Sequence, residues 1–138
     1  MAKKNQMFVV VAVVMLFAAP VGAEPDVQEG MWEITTVTEM SGTAIKMPPQ
    51  KHTQCFTNDD LVPRDPQAAQ GCVIKEKRYV GNILNWTMEC SSSGVKTVST
   101  GSITYDKDSF SGGMEIAIDG SDMKLVNTMS GRRLGPCE

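Results

Sequence analysis

From residue 30 onward, apolar and polar residues alternate with a period of two, and this rhythm constrains the chain more than any other feature. Trp32, Ile34, Thr36, Thr38 and Met40 fall on one side of an extended run, and Glu33, Thr35, Val37 and Glu39 fall on the other. Successive side chains of a strand point to opposite faces, so the pattern marks a half-buried β-strand. Ser41-Gly42-Thr43 turns the chain, and Ala44 to Phe56 returns. Pro48-Pro49 interrupts that return; neither nitrogen donates to a ladder, so this arm is an edge strand or bends there. Val73 to Val80 and Ile83 to Cys90 form a hairpin about Gly81-Asn82. After a turn at Ser91 to Gly94 come Val95 to Tyr105, a turn at Asp106-Lys107-Asp108, and Phe110 to Ile118. Asp119-Gly120-Ser121-Asp122 then leads into Met123 to Ser130, and Gly131 starts a last piece, Arg132 to Cys137. Residues 57–71 break the rhythm. Thr57-Asn58-Asp59-Asp60 has the form of a capping box opening a short helical turn, while Pro63, Pro66 and Gly71 keep any helix short. This stretch reads as one long surface connection. About seven or eight short strands joined by tight turns predict an all-β fold, a single antiparallel up-and-down β-barrel or barrel-like sheet. Closure is the usual protection for such edges.

The start of the chain sets its compartment. Lys3 and Lys4 precede an apolar run from Met7 to Ala19, and Val21-Gly22-Ala23 puts small residues where a signal peptidase cuts. Residues 1–23 are therefore expected to be a cleaved signal peptide, and 24–138 a single β-domain. The apolar run is shorter than the roughly 20 residues a bilayer span needs, so no stable membrane insertion is expected. With Lys3 and Lys4 taken from the 13 basic residues, 11 remain against 16 acidic ones. That excess of negative charge argues against nucleic acid and anionic membrane surfaces as partners. The expected location is exported, periplasmic in the first instance and extracellular as the alternative.

In such a compartment the four cysteines, Cys55, Cys72, Cys90 and Cys137, are expected to be structural. No pair has C-x-x-C spacing, so neither a thioredoxin-like site nor a zinc knuckle is signalled. Two disulfides are expected, and four cysteines allow three connectivities. If consecutive strands alternate in direction, Cys55, Cys72 and Cys90 gather at one end of the barrel, and Cys137 joins them if the last piece runs back. Cys72 and Cys90 flank one hairpin, which favours Cys72–Cys90 with Cys55–Cys137.

Several segments carry a resemblance. Gly30-Met31-Trp32-Glu33-Ile34-Thr35-Thr36, Met47-Pro48-Pro49, Thr53-Gln54-Cys55, Trp86-Thr87-Met88-Glu89-Cys90, Thr100-Gly101-Ser102-Ile103-Thr104-Tyr105 and Met129-Ser130-Gly131-Arg132-Arg133-Leu134-Gly135 occur in this order. Together they resemble a bacterial family of exported proteins labelled domain of unknown function 3617. The resemblance implies an exported protein and supplies no catalytic residue.

The candidate chemistry is sparse. His52 is the sole histidine, beside Lys51 and Thr53, and there is no G-x-S-x-G elbow to pair with it. No catalytic residue is assigned, and the chain is not expected to be an enzyme. Asp106/Asp108 and Asp119/Asp122 sit in turns, where aspartate bonds the local backbone, and neither loop has the ligand count of a calcium site. After residue 23 there are seven methionines: Met31, Met40, Met47, Met88, Met114, Met123 and Met129. Thioethers suit Cu(I), and Met40, Met47 and His52 could approach across the first hairpin. Most of these methionines, however, fall on apolar strand faces, where Met is ordinary core filler. No cofactor is expected. The favoured function is binding of a small apolar or amphipathic ligand inside the barrel, on an inward set of Trp32, Ile34, Leu84, Trp86, Met88, Phe110, Met114, Ile116, Met123 and Leu125. A structural or interaction role in the cell envelope, with an unspecified protein partner, is the alternative, and soft-metal binding comes third.

Overall fold

The computed structural model describes residues 25–65 and 70–138. The expected signal segment, 1–23, lies outside the described residues, as do residues 66–69 of the long connection. Seven antiparallel strands form one sheet: β1 (Gly30–Met40), β2 (Gln50–Phe56), β3 (Cys72–Val80), β4 (Ile83–Ser92), β5 (Val95–Asp106), β6 (Ser109–Ile118) and β7 (Lys124–Gly135). Their order across the sheet is β2-β1-β7-β6-β5-β4-β3. Among the described residues no helix is long and apolar enough to cross a membrane.

The alternation in the sequence is the alternation in space. Trp32, Ile34, Thr36 and Thr38 share one face of β1, and their partners on β2 and β7 share it with them: Trp32 opposite Gln54, Ile34 opposite His52 and Gly131, Thr36 opposite Gln50 and Met129, Thr38 opposite Asn127. The sheet curls so that this face lies inside. The Pro48-Pro49 break holds β2 to seven residues, at the edge of the sheet. Pairing resumes beyond the prolines through a Glu39–Lys46 bridge and a bond from Met47 N to Thr38 O.

Three expectations need correction. First, the sheet does not close into a barrel: β2 and β3 are its two edges and do not pair with each other. Second, 57–71 is not merely a surface connection. It leaves β2 beside the start of β1 and enters β3 at the opposite end of the sheet, so β2 and β3 run the same way and strict alternation of direction fails here. On the way Leu61, Val62 and Pro63 become fully buried. Thr57 and Asp60 form an isolated bridge where a helical turn was expected. Third, β7 runs unbroken through Gly131 to Gly135, so no separate last strand exists.

The two disulfides, Cys55–Cys137 and Cys72–Cys90, follow from this topology. Cys55 lies opposite Met31, whose other partner is Gly135, so the first bridge sits at the end where β1 begins, here the base. Cys72 lies opposite Cys90, and Cys90 opposite Thr97, so the second sits at the far end, the mouth. The cysteines therefore do not gather at one end. Two disulfides are compatible with an oxidising, exported location.

The core fills the base. Trp32, Phe56, Tyr105 and Phe110 pack with ring centroids 5.4 to 6.3 Å apart, in tilted and edge-on pairs. Glycines on the inward face make room for rings. A Cβ on Gly131 would lie 2.0 Å from Phe110 Cε1, and one on Gly101 would lie 2.1 Å from Trp86 Cζ2. Gly101 and Gly131 thus seat aromatic side chains instead of leaving space.

Candidate functional site

Above the packed base the curl is hollow. A cavity of about 630 Å³ is lined from all seven strands and from the 57–71 crossover. Its walls are built by the strand register. β2, β1 and β7 contribute Gln50, His52, Thr36, Thr38, Asn127 and Met129; β6 contributes Met114 and Ile116; β4 contributes Met88 and Cys90. β5 contributes Ser99 and Thr97, and Pro63, Arg64 and Asp65 of the crossover complete the ring in the gap between the sheet edges. Gln50, Ser92 and Val95 are exposed at the mouth, so the cavity opens there. Two other depressions, of about 620 and 610 Å³, lie on the convex outer face among side chains such as Thr100, Glu115, Val98 and Lys75. The interior cavity is the candidate because, of these three, it is the one enclosed by the curl of the sheet.

The crossover that completes the ring is held from three strands. Gln54 Nε2 donates to Val62 O at 3.2 Å, and its Oε1 accepts from Arg64 N at 3.0 Å. Tyr105 Oη donates to Leu61 O at 2.5 Å, and Lys77 Nζ donates to Asp59 O at 3.3 Å. Burial pushes the Tyr105 hydroxyl to ionise well above the ordinary tyrosine range, with the neighbouring Tyr79 and Asp60 adding to the shift. Tyr105 therefore stays a neutral donor to the loop. Arg64 pairs with Asp60 at 2.6 Å, within the crossover itself.

The polar side of the cavity is partly self-satisfied. Thr38 Oγ1 donates to Asn127 Oδ1 at 2.8 Å. His52 Nε2, by contrast, is buried and has no hydrogen-bond partner among the described residues. Among the described residues, Tyr79 Oη and Trp86 Nε1 are the other buried side-chain polar atoms in that condition.

The inward set read from sequence divides. Trp32, Ile34, Leu84, Trp86 and Phe110 are buried in the packed base and do not line the hollow. Met88, Met114 and Ile116 do line it. Leu125 is half-buried on the inward face, whereas Met123 is 52% exposed, because the turn runs one residue further and β7 starts only at Lys124. His52 is not brought to Met40, whereas Met47, whose N donates to Thr38 O, pairs two residues along β1 from Met40. Met40 lies six residues along β1 from Ile34, the partner of His52, a separation of about 20 Å at the rise of a strand. Met47 lies in the exposed stretch before β2.

Sequence reasoning missed Thr36, Thr38, Asn127, Ser99 and the crossover residues as lining. Thr36 and Thr38 lie on the face that the alternation marks as inward, but hydrophobicity alone does not single them out as lining.

Comparison with curated proteins and with solved structures gives no match. A family model described as protein of unknown function (DUF3617) matches residues 27–137, from just before β1 to the last cysteine. With that match spanning all seven strands, the interior cavity and both disulfides, the chain belongs to this family.

Proposed function

We propose that this protein is an exported, non-enzymatic carrier that holds one small apolar or amphipathic molecule in its interior cavity. The observation that carries the reading is the hollow itself. Its volume of about 630 Å³ falls within the roughly 300–1,000 Å³ of ordinary small-molecule sites, and it combines apolar walls with a few polar groups, as such sites do. The wall is made largely of thioethers, a disulfide, hydroxyls and amides, with Lys51, His52, Arg64 and Asp65 also on it. A nucleophile needs an adjacent base, and the one histidine on this wall has its Nε2 unbonded, which supports carriage over catalysis.

A second reading, an interaction role in the cell envelope, draws on the convex face. Val73 and Val98 are 59% and 41% exposed, and both pair with Glu89 in one row across β3, β4 and β5. Native mass spectrometry of the mature protein purified from its own envelope separates the two. The carrier reading expects a bound mass of a few hundred daltons that is released on unfolding. A clean apo mass, with two disulfides intact, contradicts it and favours the interaction role.

A further inference from the structure

We infer that the molecule taken by the cavity is facially amphipathic, rigid and elongated, with hydrogen-bonding groups along one long edge and hydrocarbon along the other. The inference rests on the carrier reading and narrows its ligand class. Its warrant is the direction in which polarity changes. On β2, β1 and β7 the cavity-facing positions are Gln50, His52, Thr36, Thr38 and Asn127, with Met129, the partner of Thr36, as the one apolar member among them. Beyond β7 come Met114, the register partner of Asn127, then Ile116, Met88 and the Cys72–Cys90 bridge. Ser99 and Thr97 on β5 interrupt that apolar side, with Ser99 set between Met88 and Ile116. Polarity therefore changes from strand to strand around the wall, not from mouth to floor.

A lipid with a polar head and a long tail needs the opposite arrangement, a polar mouth above a deep apolar shaft. Here the shaft is stopped by buried side chains at the base, among them Trp32, Phe110, Tyr105 and Leu61. The polar wall also keeps an unmet requirement. His52 Nε2 is buried without a partner among the described residues, a costly state that a hydroxyl or carbonyl on the ligand edge relieves. Thr38 and Asn127 already bond each other, so His52 is the group that gains most from a ligand.

The test uses the mature chain and N-phenyl-1-naphthylamine, a dye that brightens in apolar surroundings, as the occupant to be displaced. Cholate, with its hydroxyls on one face of a rigid ring system, and palmitate are the competitors. Cholate is expected to displace the dye, and palmitate to do so about tenfold more weakly. His52→Leu should weaken cholate about tenfold relative to the dye, and His52→Gln should restore most of that difference, as expected for one hydrogen bond to a buried group. Thr38→Val should give a smaller loss in the same direction, and serves if His52→Leu does not fold. Palmitate competing as well as cholate, or cholate binding unchanged in both His52→Leu and Thr38→Val, overturns the facial assignment and leaves the carrier reading standing. Failure of the dye and both competitors to bind overturns both.

Discussion

At the base of the curl, four aromatic rings from β1, β2, β5 and β6 stand within 6.3 Å of one another, centroid to centroid. Two to six residues along β1, the same inward face carries Thr36 and Thr38 where Trp32 and Ile34 stood. The backbone is continuous between the two regions, and so is the hydrogen-bonded ladder. Only the volume and polarity of the inward side chains change. A curled sheet of this width is filled when each strand contributes a large apolar residue at one level, and stays hollow when it contributes threonine, serine, asparagine and methionine. The base thus supplies most of the burial that stabilises the fold, and the mouth is left free to hold something else. Each region also has its own disulfide, which allows them to be perturbed separately.

The bridges offer the largest contrast. In the chain-entropy account, stabilisation grows with the loop closed, and the loops here span 82 and 18 residues. Replacing Cys55 and Cys137 by serine should cost about 4.5 kcal/mol, and replacing Cys72 and Cys90 about 3 kcal/mol. Urea unfolding of the two double variants checks the order, and equal losses would break the proposed difference between base and mouth. Reductant should lower the melting temperature of the parent protein strongly.

Side-chain truncation comes next. Trp32 is fully buried among three rings, so Trp32→Ala should cost about 4 kcal/mol. Ile116 borders the hollow and is only half-buried, so Ile116→Ala should cost about 1 kcal/mol. Thermal melts of the two variants sharpen the comparison, and a large loss at Ile116 would mean that the mouth is packed.

An effect of similar small size concerns the join between sheet and crossover. Tyr105→Phe removes the bond to Leu61 O and should cost about 1–2 kcal/mol. The same hydroxyl has a pH consequence. Its folded-state ionisation is raised by burial, so the stability it confers is fully present below the ordinary tyrosine pKa of about 10. Above that pH the unfolded chain sheds the proton while the folded chain keeps it, so stability falls as pH rises. Urea midpoints at pH 9 and 11 should therefore drop less in Tyr105→Phe than in the parent, and an equal drop would remove Tyr105 from the account.

The strands were legible because a period of two reports the face directly, and Trp32, Trp86 and Phe110 announced which face turns inward. The crossover was not. A connection such as Gly81-Asn82 forces the next strand to reverse, but a 15-residue connection, 57–71, reaches about 50 Å when extended. A ten-residue strand such as β4 is only about 33 Å long, so nothing in the sequence obliged β3 to run against β2. Leu61-Val62-Pro63 is a short apolar run without periodicity, so it carried no sign of the surface it would meet. The cavity was half legible for a different reason. Ranking inward residues by hydrophobicity selects Trp32, Ile34, Trp86 and Phe110, which are the side chains large enough to fill the base. The hollow is marked instead by polar residues kept in phase with that inward face, Thr36, Thr38 and Asn127.

The most direct measurement is a two-dimensional amide NMR titration of the protein with N-phenyl-1-naphthylamine. The account predicts shifts at Thr36, Thr38, Met114, Asn127 and Met129 around the hollow, with Trp32, Phe56 and Phe110 unmoved in the packed base. Shifts confined to Thr100, Glu115 and Val98 on the convex face, or spread through the aromatic cluster, would contradict a filled base beneath a binding mouth.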